Sequence, residues 1–368
     1  MTTIYIHIGA PKTATSTLQA LLVRKAKKLA KSGVLYPSAP RHGDAHHVLV
    51  CDLIEKHQGN HMPDFWYGDF PRGQAWNKLA DEIAGHGKAL ESVVISSELF
   101  FGQSRQLRPM LADIGEHLAG YTVKIVSYLR RQDQLYSSFF NQDVKGARQW
   151  ADGPYQFYET HQIFQHHYVD LLSIWGDFFG EENIIVRPYE PAQWREEDIV
   201  ADFCDAIDAP RLKAGSLESN ASLGPNQLYA KQCLNKIGYD KAINDDVVRR
   251  LIKLLPEEPI KNSRYVHAGL YSRYKDSWEA SNKRLSDKFL QGKSLFQQTI
   301  PDAHDLEPYS VDDEVLAKYL QGLVKQLARE KTAEMKQLFA HSAFLMLAER
   351  KLWPSLNEKQ LEALLSWS

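Results

Sequence analysis

Residues 4–17, with the sequence IYIHIGAPKTATST, decide the fold of this chain. The run from Ile4 to Ile8 is β-branched and aromatic, which predicts a short buried strand. The strand breaks at Gly9-Ala10-Pro11, and hydroxyl residues that can cap a helix follow the break: Thr15, Ser16 and Thr17. Leucines then recur on one face of the predicted helix as far as Gly33. This segment therefore predicts a strand, a tight loop and a helix.

Short, nearly all-apolar runs return further along the chain, at residues 93–95, 123–129 and 184–186. Helical stretches separate them, which is typical of a parallel sheet covered on both faces. We therefore expect an α/β fold of three layers, with a mainly parallel sheet and helices on both faces. Residues 38–75 are rich in His, Gly and Pro and show little periodicity, and we interpret them as a loop and lid.

The last part of the chain differs from this α/β body. After residue 215 the pattern becomes helical, and leucines recur at helical spacing between Val311 and Glu349. We expect residues 1–298 to form the α/β domain and residues 299–368 to form a helical C-terminal extension. Packing, or self-association into a homo-oligomer, is the expected use of such a tail.

The charge balance and the cysteines exclude several classes of partner. Lys and Arg number 44 against 46 Asp and Glu, and the net charge of -2 gives no general attraction to nucleic acid or anionic lipid. The cysteines show no C-x-x-C spacing, which suits a reducing compartment: Cys51, Cys204 and Cys233. No signal-peptide pattern precedes the first strand, and no apolar run is long enough for a membrane span. We therefore expect a cytoplasmic protein without a membrane span.

The loop between the first strand and the first helix is suited to binding an anion. Free N–H groups at the helix start, the positive end of its dipole, the Lys12 ammonium and nearby hydroxyls would all face a phosphate or sulfate. The pattern of a nucleoside-triphosphate P-loop, G-x-x-x-x-G-K-[ST], does not fit. Lys12 lies three residues after Gly9, and no second glycine precedes it. Taken alone, the loop is also compatible with an ordinary strand-to-helix turn.

Two segments together resemble the donor site of sulfotransferases that use 3′-phosphoadenosine 5′-phosphosulfate (PAPS). Residues 9–16 follow the pattern G-x-P-K-[TS]-x-[TS]-[ST], which resembles the 5′-phosphosulfate loop of that family. Residues 128–138, YLRRQDQLYSS, are similar to its 3′-phosphate motif, in which an arginine ends a strand and a serine follows eight residues later. The resemblance implies a P-loop-like sulfotransferase fold. It also implies a set of donor-binding residues: Lys12, Thr13, Ala14, Thr15, Ser16 and Thr17 for the phosphosulfate, and Arg130 and Ser138 for the 3′-phosphate.

A physical reason also supports 3′-phosphate binding by the second segment, residues 128–138. Arg130 is expected at the carboxyl edge of the sheet, where open α/β sheets bind their ligands. Ser138 lies early on the next helix, and helical side chains tilt toward the N-terminus of their helix, so its hydroxyl can share an anion with the guanidinium. A strand that ends in R-R-Q is also common at solvated strand ends. The pairing with the first loop, in the right order, favours the donor site.

Further stretches extend the resemblance to about residues 4–298. Residues 185–190, IVRPYE, look like a family strand that ends in an aromatic and an acid, where Tyr189 can lie near the adenine or simply pack. Residues 220–223, NASL, and 281–285, SNKRL, resemble segments of bacterial, glycan-modifying members.

Sulfuryl transfer needs a cation at the leaving oxygen and a base at the acceptor hydroxyl. Lys12 suits the first role, since its charge is worth more in the transition state than in the ground state. The base remains open between His46 or His47, with His47 favoured, and Glu98 at the end of the strand that contains residues 93–95. Histidines at four-residue spacings lack a matching zinc framework, so we expect no metal requirement.

The sequence thus predicts a sulfotransferase with PAPS as donor, adenosine 3′,5′-bisphosphate (PAP) as product, and a hydroxyl acceptor on a saccharide or glycolipid. Aromatic residues in the expected lid can stack on sugar rings or pack internally: Phe65, Trp66, Tyr67 and Trp76. Two alternatives stay open. One is a magnesium-dependent nucleotide kinase with an unusual loop, and the other is a non-catalytic nucleotide-binding protein whose tail recruits partners.

Overall fold

A computed structural model describes residues 1–87, 90–102, 107–161, 167–213, 222–255, 263–264 and 266–367. The chain forms two compact units. The first combines Met1–Leu135, His166–Glu218 and Asp276–Ile300, and the second combines Tyr136–Gln165, Ser219–Lys275 and Pro301–Ser368. Within the described ranges, no helix has both the length and the apolar character needed to cross a bilayer.

Helices make up most of the regular structure. In chain order they are α1 (Thr15–Ala30), α2 (His47–Gln58), α3 (Ala75–His86), α4 (Leu107–His117), α5 (Gln132–Lys145), α6 (Pro154–His161), α7 (Tyr168–Phe179), α8 (Ile199–Ala206), α9 (Pro225–Ile237), α10 (Asn244–Leu254), α11 (Ala268–Phe289), α12 (Asp313–Leu327), α13 (Ala333–Arg350) and α14 (Glu358–Leu365). Short 3-10 helices at Asp64–Trp66 and Glu98–Gly102 also contribute to the candidate site.

The first unit is built on a five-stranded parallel sheet in the order β2-β3-β1-β4-β5. The strands are β1 (Thr3–His7), β2 (Val34–Leu35), β3 (Ser92–Ser96), β4 (Thr122–Leu129) and β5 (Ile184–Pro188). Every neighbouring pair is parallel. The predicted α/β class with a mainly parallel sheet and surrounding helices is confirmed.

Both faces of this sheet are buried, which explains why its strands are almost continuously apolar. On one face, Tyr5, Val94 and Tyr128 form a core with the leucines of α1 and with Phe203 of α8. Side chains alternate along a strand, so residues such as Ile4, Ile6 and Ile95 point to the opposite face, and they too are 0% exposed.

The carboxyl ends of the central strands are in register, and this brings the candidate site residues to one edge. His7 of β1 is opposite Ser96 of β3 and Val126 of β4. Hydrogen bonds continue past the strand ends, because the Ala10 N–H donates to the Tyr128 carbonyl at 3.2 Å and the Ser97 N–H to the His7 carbonyl at 3.1 Å. The loops that follow the strands are therefore fixed against one another.

The interpretation of residues 38–75 as loop and lid is wrong for residues 47–58. Helix α2 occupies residues 47–58, and every residue from Val48 to Ile54 is buried. A helix buried on nearly all sides has no polar face, so its sequence shows none of the periodicity by which surface helices are recognised.

The second unit is mainly helical and does not coincide with the expected extension over residues 299–368. It joins the C-terminal helices to the earlier segments 136–165 and 219–275. The contacts of Glu349 in α13 show why: Tyr229 of α9 donates to its carboxylate at 2.8 Å, and Lys236 pairs with it at 2.8 Å. Contacts between helices so distant in sequence leave no trace in local periodicity.

A fully buried lysine lies in the second unit. The ammonium of Lys231 in α9 donates to the Val144 carbonyl at 3.2 Å and to the side-chain oxygen of Asn235, and none of the described carboxylates pairs with it. Burial lowers the pKa of Lys231 to about 7. Both acceptors have other donors, since Asn235 donates its own amide to Val144 at 2.9 Å and Tyr239 donates to Asn235 at 3.4 Å.

Replacing Lys231 by methionine is expected to stabilise the protein below pH 7, by about 1 to 4 kcal/mol. Because the lysine binds its proton more weakly when folded, the wild-type free energy of unfolding rises with pH between about 7 and about 10.4. The variant lacks this contribution, so its advantage shrinks as the pH rises. Urea unfolding at a series of pH values measures the difference, and Lys236→Met, a surface ion-paired lysine of the same helix, is the control. Equal pH dependence of wild type and Lys231→Met would contradict the prediction.

Candidate active site

The loop between β1 and α1, residues 9–17, is called the anion loop. Lys12 and Ala14 adopt the left-handed region with φ of 68° and 61°, an unfavourable conformation for residues with a side chain. Such turns can direct successive N–H groups into a concavity that suits an anion. Thr13 stabilises the loop by donating its hydroxyl to the Ala10 carbonyl at 2.5 Å.

The start of α1 is also suited to a negative charge. Ala14 is its N-cap, no side chain caps it, and its first turn contains no acidic residue. The first N–H groups of the helix therefore have no partner within the helix and lie at the positive end of its dipole. Of the hydroxyl residues here, Thr15 is buried, Thr17 half-buried and Ser16 exposed.

Arg130 follows β4 and is joined to the anion loop. Its Nη1 donates to the Lys12 carbonyl at 3.1 Å, and its guanidinium lies 5.5 Å from the ring centre of Tyr189, which follows β5. Burial lowers the pKa of Arg130. None of the carboxylates in the described ranges forms an ion pair with it, and its Nε is buried without a hydrogen-bond partner.

The next residue, Arg131, has the opposite environment. It pairs with Asp133 through two hydrogen bonds of 2.7 and 2.9 Å and donates to the Thr299 carbonyl at 2.9 Å. Its charge is therefore compensated within the protein. The two arginines are neighbours in the sequence, and in the structure Arg130, the one predicted to bind the 3′-phosphate, is the one that lacks a counter-charge.

The donor-binding roles of Ser138 and Tyr189 remain predictions. Ser138 is 9% exposed on α5, in the part of that helix that belongs to the second unit. Tyr189 packs beside Trp194 at 5.1 Å between ring centres, as well as beside Arg130. In the segment 220–223, Asn220 and Ala221 lie outside the described residues.

His46 has both ring nitrogens engaged. Its Nδ1 accepts from the Ser96 N–H at 3.1 Å, and its Nε2 is 3.0 Å from the Pro37 carbonyl, which can only accept. These partners fix His46 as neutral with its proton on Nε2. Burial lowers the pKa of His46 to about 3. It has no free nitrogen for a proton from a substrate, so we do not retain it as the base.

His47 and Glu98 lie side by side. The Nε2 of His47 is 3.9 Å from a carboxylate oxygen of Glu98, and its Nδ1 is 2.8 Å from the Ser97 hydroxyl. Both side chains are partly accessible, at 15% and 29%. Burial lowers the pKa of His47, with a smaller contribution from His42, while the charge of Glu98 acts in the opposite direction. The two residues between which the sequence could not choose thus form one pair.

The four aromatic residues named above for the expected lid divide into two groups. Tyr67 and Trp76 are buried and hydrogen-bonded to Asp52 and to the Leu49 carbonyl, so they pack internally. Phe65 is 66% exposed, and its ring is 4.9 Å from that of Trp66. Trp66 in turn stands edge-on to His47 at 4.9 Å. An exposed aromatic surface therefore borders the His47–Glu98 pair.

Three buried polar residues at the same sheet edge were not predicted from the sequence: His7, Gln19 and Ser96. A histidine inside an otherwise apolar strand was the available signal. Within the described ranges, the side chains placed closely enough to hold a metal ion are the exposed Asp302, His304 and Asp305 of the second unit.

Comparisons with known proteins give weak similarities. No protein-family model matches the chain. An uncharacterized protein of Archaeoglobus fulgidus is 24% identical over 241 residues, and the match covers 65% of this chain but only 63% of that relative. The crystal structure of a sulfotransferase from Alicyclobacillus acidocaldarius matches with a TM-score of 0.36 and 17% identity, over 68% of this chain and 95% of that chain. Neither similarity is high enough to assign a family, so the function is inferred from the residues described above.

Proposed function

We propose that the protein transfers a sulfuryl group from PAPS to a hydroxyl group of a saccharide or glycolipid. The observation that carries the proposal is the hydrogen bond from Arg130 to the Lys12 carbonyl. It joins the two segments that resemble the 5′-phosphosulfate and 3′-phosphate motifs, although they are 118 residues apart.

The electrostatics of Arg130 support an anionic ligand. Burying a guanidinium without a counter-charge is costly, and a bound phosphate would compensate it through two parallel charge-assisted hydrogen bonds. The location fits as well, because open parallel sheets bind ligands at the carboxyl ends of their strands. The anion loop would hold the phosphosulfate, and Tyr189, beside Arg130, is placed to border the adenosine.

The proposed reaction uses Lys12 and the His47–Glu98 pair. As the acceptor oxygen bonds to sulfur, the bond from sulfur to the bridging phosphate oxygen breaks, and PAP leaves with the additional negative charge. Lys12 would neutralise that charge. The acceptor proton passes to Nε2 of His47, and Glu98 stabilises the resulting imidazolium. None of these steps needs a metal.

The aromatic surface at Phe65 and Trp66 supports a ring-shaped acceptor. Aromatic rings bind the apolar faces of sugars while leaving their hydroxyl groups free. A pyranose placed on these rings would have its hydroxyls next to His47. Arg72 stabilises this segment, since it donates to the Met62 carbonyl at 2.8 Å and stacks on Tyr67 at 4.1 Å.

The proposal is tested by incubating the protein with sulfur-labelled PAPS and a panel of glycosides and glycolipids. We expect label to appear on at least one saccharide with equimolar release of PAP, in the presence of a metal chelator. Label that remains in PAPS with every acceptor, or transfer that requires magnesium and ATP, would refute it.

The charge of Glu98 should set the pH dependence of this transfer. The base must be neutral, so the rate rises with pH through the pKa of His47, which burial places below its usual 6.5. Glu98→Gln removes the charge that raises this pKa, and we expect the acidic limb of the rate profile to move to lower pH. Glu116→Gln, an exposed glutamate of α4, controls for net charge. An acidic limb that moves up or stays in place would contradict the pairing.

A further inference from the structure

His7, the last residue of β1, is a buried histidine to which the proposed reaction assigns no role. It is 0% exposed, and the aromatic rings of Phe203 and Tyr128 face it at 5.0 and 6.2 Å. Its Nδ1 is 2.9 Å from the Ser96 hydroxyl, whereas its Nε2 is buried without a hydrogen-bond partner. Burial lowers the pKa of His7 to about 3, so the ring is neutral near pH 7.

A series of hydrogen bonds leads from Glu98 to this ring, and the chemistry of its groups indicates which atom donates at each step. Gln19 of α1 is 3.2 Å from the Glu98 carboxylate, which only accepts, so the nearer amide atom of Gln19 is its NH2 group. The same NH2 group donates to the Ser96 hydroxyl at 3.2 Å. The Ser96 hydroxyl could accept a second hydrogen bond, but Nδ1 of His7 is the one acceptor that the described residues offer to its own proton. The arrangement that pairs most of these groups therefore has Ser96 donating to Nδ1, with the proton of the His7 ring on Nε2.

The protonated Nε2 faces the start of the anion loop. A Cβ atom added to Gly9 would lie 2.8 Å from this nitrogen and 2.9 Å from the Thr15 hydroxyl oxygen. That hydroxyl is also buried without a partner. Two unpaired polar groups thus border the same side of Gly9, and leaving buried polar groups unpaired lowers stability. A state that pairs them would therefore be favoured.

We propose that Gln19, Ser96 and His7 are positioning residues that connect Glu98 to the anion loop. In the donor-bound state, the His7 Nε2–H donates to the Thr15 hydroxyl, and the Thr15 proton turns toward the bound anion. This inference rests on the proposed function for the identity of the donor. It explains why a glycine stands at position 9, since a side chain there would separate His7 from Thr15.

The test begins with nitrogen NMR of histidine-labelled protein without ligand. We expect His7 as the pure Nε2–H tautomer, with no titration between pH 5 and 8. Gln19→Met should produce a mixture of tautomers, because Ser96 is then free to reverse its hydroxyl. If Gln19→Met does not fold, Ser96→Ala removes the same link. The proposed series of hydrogen bonds from Glu98 to His7 is overturned if His7 carries its proton on Nδ1, or if its tautomer is unchanged in the variants.

Addition of PAP tests the connection to the anion loop. In wild type, we expect the His7 Nε2–H proton signal to move downfield as its hydrogen bond forms, and Gln19→Met should bind PAP at least about fivefold more weakly. Gln232→Met is the control, because it removes a buried glutamine that hydrogen-bonds to the Asp152 carbonyl in the second unit. Unchanged PAP affinity in Gln19→Met, or a loss as large in the control, overturns the positioning role. If wild type binds no PAP, the proposed function fails. The tautomers measured without ligand still decide whether the series of hydrogen bonds from Glu98 to His7 exists.

Discussion

Lys12→Ala is expected to slow sulfuryl transfer by about 100- to 1000-fold, the usual loss when one group that stabilises a developing negative charge is removed. The ammonium acts on the bridging oxygen as it becomes charged, so its loss affects the transition state more than the bound donor. The N–H groups of the anion loop and Arg130 remain. We therefore expect PAPS binding to be weakened but measurable.

The measurement is single-turnover conversion of PAPS to PAP, with donor affinity determined separately by calorimetry. Lys27→Ala is the matched control, because Lys27 is an exposed lysine in the last turn of α1, the helix that follows the anion loop. Wild-type turnover in Lys12→Ala would contradict the assignment. A variant that loses binding and turnover in equal proportion would give Lys12 a role in donor binding alone.

Arg130→Met is expected to weaken PAP binding by about 10- to 100-fold, as the loss of a charge-assisted hydrogen bond does. Adenosine 5′-phosphate lacks the 3′-phosphate, so its affinity should change much less. The variant should keep or increase its free energy of unfolding without ligand, because the buried guanidinium has no counter-charge to lose. The measurements are calorimetric titrations with both nucleotides and urea unfolding.

Arg131→Met is the control, and we expect it to change the free energy of unfolding in the opposite direction. It would remove the guanidinium that pairs with the half-buried carboxylate of Asp133 and should lower the free energy of unfolding by about 3 kcal/mol. Any change that it causes in binding affinity should be equal for PAP and for adenosine 5′-phosphate. Equal losses of affinity for both nucleotides in Arg130→Met would show that Arg130 does not contact the 3′-phosphate.

The sequence predicted the sheet well because its strands are buried on both faces. Each of the apolar runs at 93–95, 123–129 and 184–186 lies within an observed strand, β3, β4 or β5. Helix α2 was missed for the same physical reason, since burial on nearly all sides removes the helical period. The second unit was not foreseen because its contacts, such as those of Glu349 with α9, join helices more than 110 residues apart.

For the candidate site, the sequence indicated which residues take part but not which of them contact one another. It placed Lys12 and Arg130 at the same sheet edge, because both directly follow predicted parallel strands. It could not place His47 beside Glu98, since that depends on how α2 packs against the end of β3. Nor could it show that Arg130 lacks a counter-charge while Arg131 has one, because that depends on which of them a nearby aspartate compensates.

The most direct test of the PAPS site is a thermal unfolding comparison of the protein with PAP and with ATP plus magnesium. A ligand that binds only the folded state stabilises it by about 4 kcal/mol at 1,000 times its dissociation constant. We predict a clear rise in unfolding temperature with PAP, unaffected by a metal chelator, and a smaller rise or none with ATP and magnesium. A rise with ATP and magnesium but none with PAP would contradict the proposed sulfotransferase.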